Sequence, residues 1–271
     1  MREKAQKYRE SQKSTLVDGT TPQYKCNECR DEDGYFVKRP VKQTVKGELV
    51  EVMMDHWHIC DCVAKRKNQE QTDALFQSSK ITWAFQKRTF DSFDLSYLAD
   101  PVRAAYRKAR TYHSRFADIR TTPNNGICLL GKPGSGKTHL LTAISNALLS
   151  EGVEVLYAPF VQCIEEMKND MHKEEINKAR IEKMQKVEVL FIDDLFKPPN
   201  TPSAYEIRKM YEVINYRYME QMPIMISSER KISELVDIDE ALGSRINEMC
   251  RDFRVELDGG RELNYRMREG A

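Results

Sequence analysis

Long apolar runs and net charge are the two features that this sequence lacks. No stretch of its 271 residues is apolar over the ~20 positions that a membrane-spanning helix needs. The 43 Lys and Arg residues are balanced by 42 Asp and Glu residues, so the net charge of +1 gives no overall attraction to nucleic acid or to a membrane surface. Any nucleic-acid surface must therefore be local, and we expect no membrane partner.

The sequence also shows no secretion signal at its start. Residues 1–13 are charged and contain no apolar stretch of the signal-peptide type. Seven cysteines form an odd number, so a reduced cytoplasm with metal-bound or free thiols fits better than a disulfide framework. Cys128, Cys163 and Cys250 lie in apolar stretches and are expected in the core. We therefore expect a cytoplasmic protein.

The most informative stretch is GICLLGKPGSGKTH, at residues 126–139. Its first half predicts a short buried strand, and apolar residues recur at helical spacing from about Lys137 onward. Between the two lies Gly131-x-x-x-x-Gly136-Lys137-Thr138, the pattern of a phosphate-binding loop. The alternative is a plain glycine-rich turn, but the order of strand, loop and helix favours a phosphate site.

Each part of this loop has a chemical reason to be there. Glycines let the backbone turn its N–H groups inward toward phosphate oxygens, and the helix N-terminus adds partial positive charge. The side chain of Lys137 can reach the β- and γ-phosphates, and the hydroxyl of Thr138 can bind Mg²⁺. The sequence therefore predicts ATP and Mg²⁺ as cofactors.

A second apolar strand, Val187–Ile192, ends in Asp193 and Asp194. Strands that are buried on both faces in a parallel sheet have this composition. A carboxylate at the end of such a strand, beside the phosphate loop, is where Mg²⁺ is held. We assign Asp193 to the metal, directly or through water, and Asp194 to orienting or deprotonating the attacking water.

Two later residues have a functional and a plain interpretation. Ser228 ends the buried strand Pro223–Ser228 and either approaches the γ-phosphate or caps the strand end. Arg245 lies in a helix predicted near residues 232–252, with a break at Gly243. It completes the ATP site of a neighbouring subunit or forms a surface salt bridge.

Two further stretches leave alternatives open. The aromatic residues of Arg88–Phe93 either anchor the first helix or wedge against an adenine ring, and we favour packing. The stretch from Lys173 to Lys186 has mixed charge, which is typical of a solvated helix face. The alternative is a DNA-facing surface that also includes Lys168.

Four cysteines near the start predict a zinc site. Cys26 and Cys29 precede a predicted hairpin, and Cys60 and Cys62 follow it. Four thiolates can bind Zn²⁺ tetrahedrally and stabilise so small a module. Because Cys-x-Cys spacing is less usual, His58 is an alternative fourth ligand. We place a zinc-binding module at residues 1–78 and an ATPase domain at residues 79–271.

Several of these motifs together resemble one family. They are Arg88–Phe93, Gly131–His139, Leu190–Leu195, Arg217, Pro223–Ser228 and Ser244–Arg245. The chain resembles bacterial and phage replicative helicase loaders of the DnaC/DnaI type, with IstB-like ATPases as close relatives. This resemblance implies an α/β fold: a P-loop AAA+ parallel sheet with helices on both faces, without a helical lid, plus the small N-terminal zinc-binding module.

The resemblance also implies an activity and partners. The activity is weak ATP hydrolysis, and the partners are a hexameric DnaB-like helicase, single-stranded DNA and further copies bound through the AAA+ domain. Residues 1–78 are the implied helicase-binding module, Arg245 the arginine finger and Arg266 a sensor-II-like arginine. The implied ATP- and Mg²⁺-binding residues are Gly131, Pro133, Gly134, Ser135, Gly136, Lys137, Thr138, His139, Asp193, Ser228 and Arg266. The alternatives are a transposase helper of the IstB type and a non-hydrolysing scaffold that binds ATP and DNA.

Two positions depart from the family pattern. The strand that contains Ser228 is followed by Glu229, where the family usually has asparagine. A carboxylate there would repel the γ-phosphate unless it points away. The metal strand ends in Asp-Asp rather than Asp-Glu, and the shorter Asp194 reaches the water less well. Both departures predict slow hydrolysis.

Overall fold

The computed structural model describes residues 24–45, 48–95, 99–199, 201–260 and 263–267. The chain divides into two compact units, Met1–Gln71 and Thr72–Ala271. The division falls inside one helix, Asp61–Ser78.

The first unit is a long β-hairpin that follows a cysteine-containing turn. Its strands β1 (Gly34–Val45) and β2 (Glu48–Ile59) pair antiparallel over their whole lengths. Helix α1 (Asp61–Ser78) begins directly after β2. At the base of the hairpin, Phe36 and Trp57 pack edge to face with ring centroids 5.0 Å apart, a geometry that stabilises cross-strand aromatic pairs. The predicted hairpin is therefore present, with longer strands than its alternating stretches indicate.

The second unit contains a five-stranded parallel sheet with strand order β4-β5-β6-β3-β7. This order confirms the predicted α/β class. In chain order its elements are α2 (Trp83–Gln86), α3 (Asp100–Ile119), β3 (Ile127–Gly131), α4 (Lys137–Ser150), β4 (Val155–Pro159), α5 (Phe160–Asn169), α6 (Glu174–Lys186), β5 (Val189–Asp193), α7 (Ala204–Met219), β6 (Ile224–Ser228), α8 (Ile232–Ile238), α9 (Glu240–Met249) and β7 (Arg254–Leu257).

Apolar side chains cover both faces of this sheet. Along β3, Ile127 and Leu129 belong to the core cluster that includes α3 and α4. The alternate residues Cys128 and Leu130 belong to the cluster that includes α5 to α9. Successive side chains of a strand point to opposite faces, so helices lie on both sides of the sheet, as predicted.

The parallel arrangement brings two functional segments to one edge of the sheet. Strand β6 lies between β3 and β5, with Leu130 opposite Ser228 and Ile192 opposite Ile226. Because the carboxyl ends of parallel strands meet at the same edge, the loop after β3 and the aspartates after β5 come close together across β6.

The segment before α3 is fixed by one asparagine of α4. The side-chain amide of Asn146 donates hydrogen bonds to the carbonyl oxygens of Phe85, Gln86 and Arg88, at 3.0, 3.1 and 2.9 Å. In the same segment, Phe90 and Phe93 are buried in the core. This burial favours the packing interpretation of the aromatic motif, and the segment is held beside the helix that follows the phosphate loop.

The helical region near the end of the chain differs from its prediction. Helices α8 and α9 are separated at Asp239, whose backbone is extended and whose carboxylate accepts a hydrogen bond from the N–H of Leu242 at 2.8 Å. Gly243 lies inside α9, where a β-carbon would lie 2.6 Å from the backbone of Val236 in α8. The break at Gly243 was thus wrongly predicted, because this glycine allows close packing of two helices instead of ending one.

Arg217 is a structural residue at the centre of the second unit. Its side chain is completely buried, and burial lowers its pKa to about 9. The guanidinium donates hydrogen bonds to the carbonyl oxygens of Met184, Gln185, Val187, Glu188 and Pro223. Four of these carbonyls lie between the last turn of α6 and the start of β5, and the fifth lies directly before β6, so one side chain joins two connections of the sheet.

The remaining cysteines and the apolar character of the helices can also be compared with what the sequence predicts. Cys128, Cys163 and Cys250 are all buried, as predicted for core residues. Within the described ranges, no helix combines the length and the apolar character that crossing a membrane requires.

Candidate functional site

The phosphate loop connects the end of β3 to the start of α4. Gly131, Gly134 and Gly136 have φ angles of 121°, 79° and 88°, in the left-handed region that favours glycine. A β-carbon on Gly131 would also collide with the carbonyl of Leu257. The pattern of glycines thus meets a backbone requirement at each of the three positions, and the loop ends at the N-terminus of α4.

Lys137 begins this helix and points back into the loop. Its ammonium donates hydrogen bonds to the carbonyl oxygens of Gly131 and Lys132, at 2.6 and 2.8 Å. The residue is only 5% exposed, and burial lowers the pKa of its amine to about 8 despite the carboxylates of Glu229, Asp194 and Asp193 nearby. Among the described residues, this ammonium contacts carbonyl oxygens and no carboxylate, and a buried cation of this kind is suited to bind an anion.

Asp193 ends β5 and accepts hydrogen bonds from the hydroxyls of three other segments. Oδ1 accepts from Oγ of Ser227 and from Oγ1 of Thr138, the latter at 2.9 Å. Oδ2 accepts from the phenol of Tyr157 on β4, also at 2.9 Å. Burial raises the pKa of Tyr157, and the charge of Asp193 raises it further, so the phenol stays a donor. The carboxylate is therefore fixed in orientation.

The contact between Thr138 and Asp193 fits the requirements of a Mg²⁺ site. Mg²⁺ prefers hard oxygen ligands, usually one or two protein groups together with phosphate oxygens and waters. A hydroxyl and a carboxylate lie together beside the glycine loop, at the place where such a metal bridges loop and nucleotide. The described residues thus fit the predicted cofactor.

Asp194 continues from β5 in a left-handed conformation, with φ of 57°. Its backbone N–H donates to Oγ of Ser227 at 2.8 Å. Its carboxylate accepts from the ammonium of Lys197 at 2.7 Å, and this hydrogen bond raises the pKa of Lys197. The same ammonium lies 3.8 Å from Oε1 of Glu229. The two carboxylates thus share one cation.

A cavity of about 350 Å³ lies over the loop, within the size range of small-ligand sites. Among the residues that line it are the loop itself from Pro133 to His139, including Ser135, and the charged side chains of Asp194, Lys197 and Glu229. Its apolar wall includes Phe93, Val102, Leu263 and Tyr265. A lining with both charged and apolar side chains suits the phosphates and the base of a nucleotide.

The structure places Ser228 away from the site that we predicted for it. Its side chain is completely buried, donates to the carbonyl of Leu195 at 2.7 Å and accepts from the N–H of Arg230 at 3.1 Å. The neighbouring hydroxyl of Ser227 is the one that contacts Asp193. Ser228 therefore has the capping role that was its alternative interpretation.

Two arginines were assigned roles from the family resemblance. Arg245 lies on α9 with its guanidinium carbon 5.4 and 5.3 Å from the ring centroids of Tyr211 and Tyr218, and it donates to the carbonyl of Ala241 at 2.8 Å. It is therefore held against α7, and its role toward a neighbouring subunit stays a prediction. The side chain of Arg266 lies outside the described residues.

Comparison with known proteins decides the family. A family model described as the bacterial DnaA ATPase domain matches residues 86–250. The chain belongs to this family. It is 40% identical over 256 residues to the phage-like element PBSX protein XkdC of Bacillus subtilis (strain 168). The aligned region covers 93% of this chain and 89% of XkdC. It is 44% identical over 213 residues to the uncharacterized protein YqaM of the same strain, covering 77% of this chain and 66% of YqaM.

Solved structures agree on the fold of this DnaA-family ATPase. DnaI matches with a TM-score of 0.54 at 23% identity, covering 66% of this chain and 95% of DnaI. The DnaC helicase loader matches with a TM-score of 0.53 at 18% identity, covering 65% of this chain and 100% of DnaC. The expected DnaC/DnaI-type AAA+ fold is thereby confirmed. The family relates the protein to replication and gives it a nucleotide-hydrolysing fold.

The DnaA-family chain carries a separate thiol cluster in its first unit. The Sγ atoms of Cys26, Cys29, Cys60 and Cys62 all lie within 4.8 Å of one another. Cys26 lies 3.7 Å from Cys60, and Cys29 lies 3.3 Å from Cys62. Tetrahedral zinc with Zn–S bonds of ~2.3 Å places its sulfurs ~3.8 Å apart, so the cluster can hold such a metal.

The turn around the first cysteine pair is organised for this cluster. The carboxylate of Asp31 accepts hydrogen bonds from the backbone N–H groups of Lys25 and Cys26, at 3.1 and 2.9 Å. The N–H of Cys29 lowers the pKa of Cys26 to about 7, which favours the thiolate. His58 packs edge to face with Tyr35 at 5.2 Å instead, and the described residues offer no place for it in the cluster.

The mixed-charge helix α6 pairs its charges within the second unit. Arg180 donates to Asp170 at 2.6 Å, and Lys173 contacts the same carboxylate at 3.0 Å. Lys168 on α5 pairs with Glu206 at 2.8 Å. These contacts favour the solvated, ion-paired interpretation of this surface over a DNA-facing one.

Two residues that contact the predicted aspartates were missed from the sequence. They are Tyr157, which orients Asp193, and Lys197, which pairs with Asp194. Ser227 belongs to the strand end Pro223–Ser228, where polar contacts were expected, and it donates to Asp193. The proximity of Lys197 to the Asp-Asp pair in the sequence was the one available signal, since Asp194 and Lys197 are three residues apart.

Proposed function

We propose that this DnaA-family protein is a slow, Mg²⁺-dependent ATPase that loads a hexameric DnaB-like replicative helicase onto single-stranded DNA. The observation that carries the proposal is the contact of Thr138 with Asp193 beside the glycine loop, at 2.9 Å, in a fold shared with DnaI and DnaC. Family membership gives a nucleotide-hydrolysing fold related to replication. The identity of the nucleotide, the partners and the slow rate are our proposal.

The proposed site residues act on the phosphates. Lys137 turns from the loop carbonyls to the β- and γ-phosphates, and the N–H groups between Gly131 and Thr138 bind their oxygens. Mg²⁺, held by Thr138 and Asp193, would neutralise charge on the phosphate oxygens. Tyr157 keeps the carboxylate of Asp193 in the orientation that this requires.

Hydrolysis follows from the position of Asp194. A water oxygen bonds to the γ-phosphorus, while the bond from that phosphorus to the β–γ bridging oxygen breaks and ADP leaves with the electron pair. The carboxylate of Asp194 orients the water and accepts its proton. We propose that turnover is slow, because this carboxylate is short and reaches the water less well than a glutamate would.

The proposed partners involve both units. Residues 1–78 are the helicase-binding module, stabilised by Zn²⁺ at the four cysteines, and residues 79–271 bind ATP and self-associate. Strand β2 supports a docking role because Leu49 and Met53 are 75% and 57% exposed. A solved DnaA structure of the same fold is bound to AMPPCP and single-stranded DNA, which supports the DNA partner. We place the protein in the cytoplasm.

A binding experiment on the full chain tests this proposal. We expect calorimetry with Mg²⁺ to detect ATP binding by the unmodified protein and none by Lys137→Ala, whose phosphate-binding cation is missing. Both proteins should co-purify with the hexameric helicase, since Lys137 lies outside the helicase-binding module. Failure of the unmodified protein to bind ATP, or to bind any such helicase, would refute it.

Metal analysis tests the zinc assignment separately. We expect about one zinc per chain, and loss of most of it in Cys29→Ser, whose thiol is buried in the cluster. Cys163→Ser is the matched control, because this cysteine is buried in the second unit away from the cluster. Equal metal content in the two variants would contradict zinc binding at the cluster.

A further inference from the structure

Lys197 has no role in the function proposed above, although it lies in the nucleotide cavity. It lines the same cavity as Lys137 and Thr138. Its ammonium lies 2.7 Å from Oδ2 of Asp194 and 3.8 Å from Oε1 of Glu229. Its side chain is 45% exposed, so it can exchange these partners for another anion without being pulled out of a packed core.

The charges around Lys197 create a problem for a triphosphate. Asp194 and Glu229 both face the cavity, and two carboxylates repel phosphate oxygens. The side chain of Glu229 is only 15% exposed, so it does not escape this repulsion by extending into water. Lys197 contacts both carboxylates, so its position affects how strongly this wall of the cavity repels phosphate.

Asp194 can change its position on nucleotide binding through its side chain rather than its backbone. Its backbone is tied to β6 by the hydrogen bond from its N–H to Ser227 at 2.8 Å. Its carboxylate already accepts from Lys197, and a carboxylate that is paired with an ammonium is a weaker base toward water. Asp194 therefore becomes a stronger base toward a water when Lys197 moves to another anion.

We infer that Lys197 is a contact for the γ-phosphate of ATP. It pairs with Asp194 and Glu229 when this phosphate is absent and moves onto the phosphate when ATP binds, which frees Asp194 to orient the attacking water. The inference rests on the proposed function, since it needs ATP in this cavity. It makes Lys197 a residue that distinguishes ATP from ADP in addition to Lys137, and it explains how the site tolerates Glu229 near the phosphates.

The test compares ATP and ADP binding by full-length variants. Lys197→Met should weaken ATP binding about tenfold or more, the value of a lost charge-assisted hydrogen bond, and ADP binding by less than about twofold. Its kcat at saturating ATP should also fall. Lys197→Arg keeps the charge and should retain most of the preference for ATP.

A matched control and a second substitution show whether the effect is specific to the charge of Lys197 in the cavity. Lys173 pairs with Asp170 at 3.0 Å with the same three-residue spacing but outside the cavity, so Lys173→Met should leave both affinities unchanged. Adding Glu229→Gln to Lys197→Met removes a repelling carboxylate and should recover part of the ATP affinity. Circular dichroism checks that each variant is folded.

Distinct outcomes separate this inference from the function on which it rests. Equal loss of ATP and ADP binding in Lys197→Met would overturn it, because the residue would then not sense the γ-phosphate. A higher kcat with unchanged ATP affinity would also overturn it, since Lys197 would then only restrain Asp194. If the unmodified protein binds neither nucleotide, the proposed function itself fails.

Discussion

The orientation of one carboxylate depends on residues from separate parts of the chain. Asp193 accepts hydrogen bonds from Thr138, Tyr157 and Ser227, and these hydroxyls come from α4, β4 and β6. The outer partners of a metal ligand determine its geometry and basicity. The phenol of Tyr157 should therefore affect Mg²⁺ binding although Tyr157 is not among the residues that line the nucleotide cavity.

Replacement of Tyr157 by Phe tests this role. The variant loses one donor to Asp193 and should need about 10-fold more Mg²⁺ for half-maximal ATP binding. Its affinity for ATP at saturating Mg²⁺ should change little, which a Mg²⁺ titration by calorimetry will show. Tyr112→Phe is the control, since that buried phenol donates to Asn125 away from the site. An unchanged Mg²⁺ requirement would contradict the role.

The pKa of Lys137 gives a pH dependence of nucleotide binding. Burial lowers this pKa to about 8, so at pH 8.5 most of the unliganded protein has a neutral amine. A bound triphosphate favours the ammonium and raises the pKa, so binding takes up a proton. The affinity for ATP should therefore fall as the pH rises above 8.

Calorimetry at pH 8.5 in two buffers of different ionisation enthalpy measures this proton uptake. The heat of ATP binding should differ between the buffers in proportion to the protons taken up. Lys137→Arg should show a smaller difference in any residual binding, because a guanidinium stays charged at this pH. Identical heats in both buffers would show that Lys137 is already protonated.

The sequence predicts some of these residues better than others, for a physical reason. The residues of the loop and Asp193 follow from local spacing, because loop, strand end and helix start are continuous in the chain. The choice between Ser227 and Ser228 depends on which face of β6 each side chain occupies. The contact of Tyr157 with Asp193 depends on β4 lying next to β5, and no local sequence pattern encodes the order of the strands.

At the scale of elements, the parallel sheet follows from its apolar strands, while the helix connections do not follow from local signals. Gly243 reads as a helix break, but it packs against α8, and Asp239 makes the break instead. Arg217 contributes to the family resemblance, and the structure adds that it is buried and joins connections of the sheet. The error at Gly243 arises because tertiary packing overrides local preference.

The structural role of Arg217 gives an element-scale prediction. Arg217→Met removes a buried donor from five carbonyl groups, three of them in buried hydrogen bonds, and should lower the free energy of unfolding by about 3–5 kcal/mol. Urea unfolding followed by circular dichroism measures the change. Arg208→Met on the same helix is exposed and should lie within about 0.5 kcal/mol of the unmodified protein. Similar values for the two variants would refute the role.

At the scale of the whole molecule, the open question is whether an ATP site is completed by a second copy. Arg245 packs on Tyr211 and Tyr218, and such aromatic contacts hold a guanidinium in one direction. If this arrangement presents Arg245 to the γ-phosphate of a neighbouring subunit, then Arg245→Ala should bind ATP with unchanged affinity. It should lose most of its turnover, because arginine fingers contribute about 10³ to 10⁵ in rate.

Mixing two inactive variants tests this arrangement directly. Arg245→Ala has an intact phosphate loop, and Lys137→Ala has an intact Arg245, so the two together form some interfaces with both elements. We expect the mixture to recover part of the ATPase activity that neither variant shows alone, with a maximum near equal amounts. If Arg245 serves only to pack against the two tyrosines, its variant will instead be less stable, its turnover per bound ATP will be normal, and mixing will add nothing.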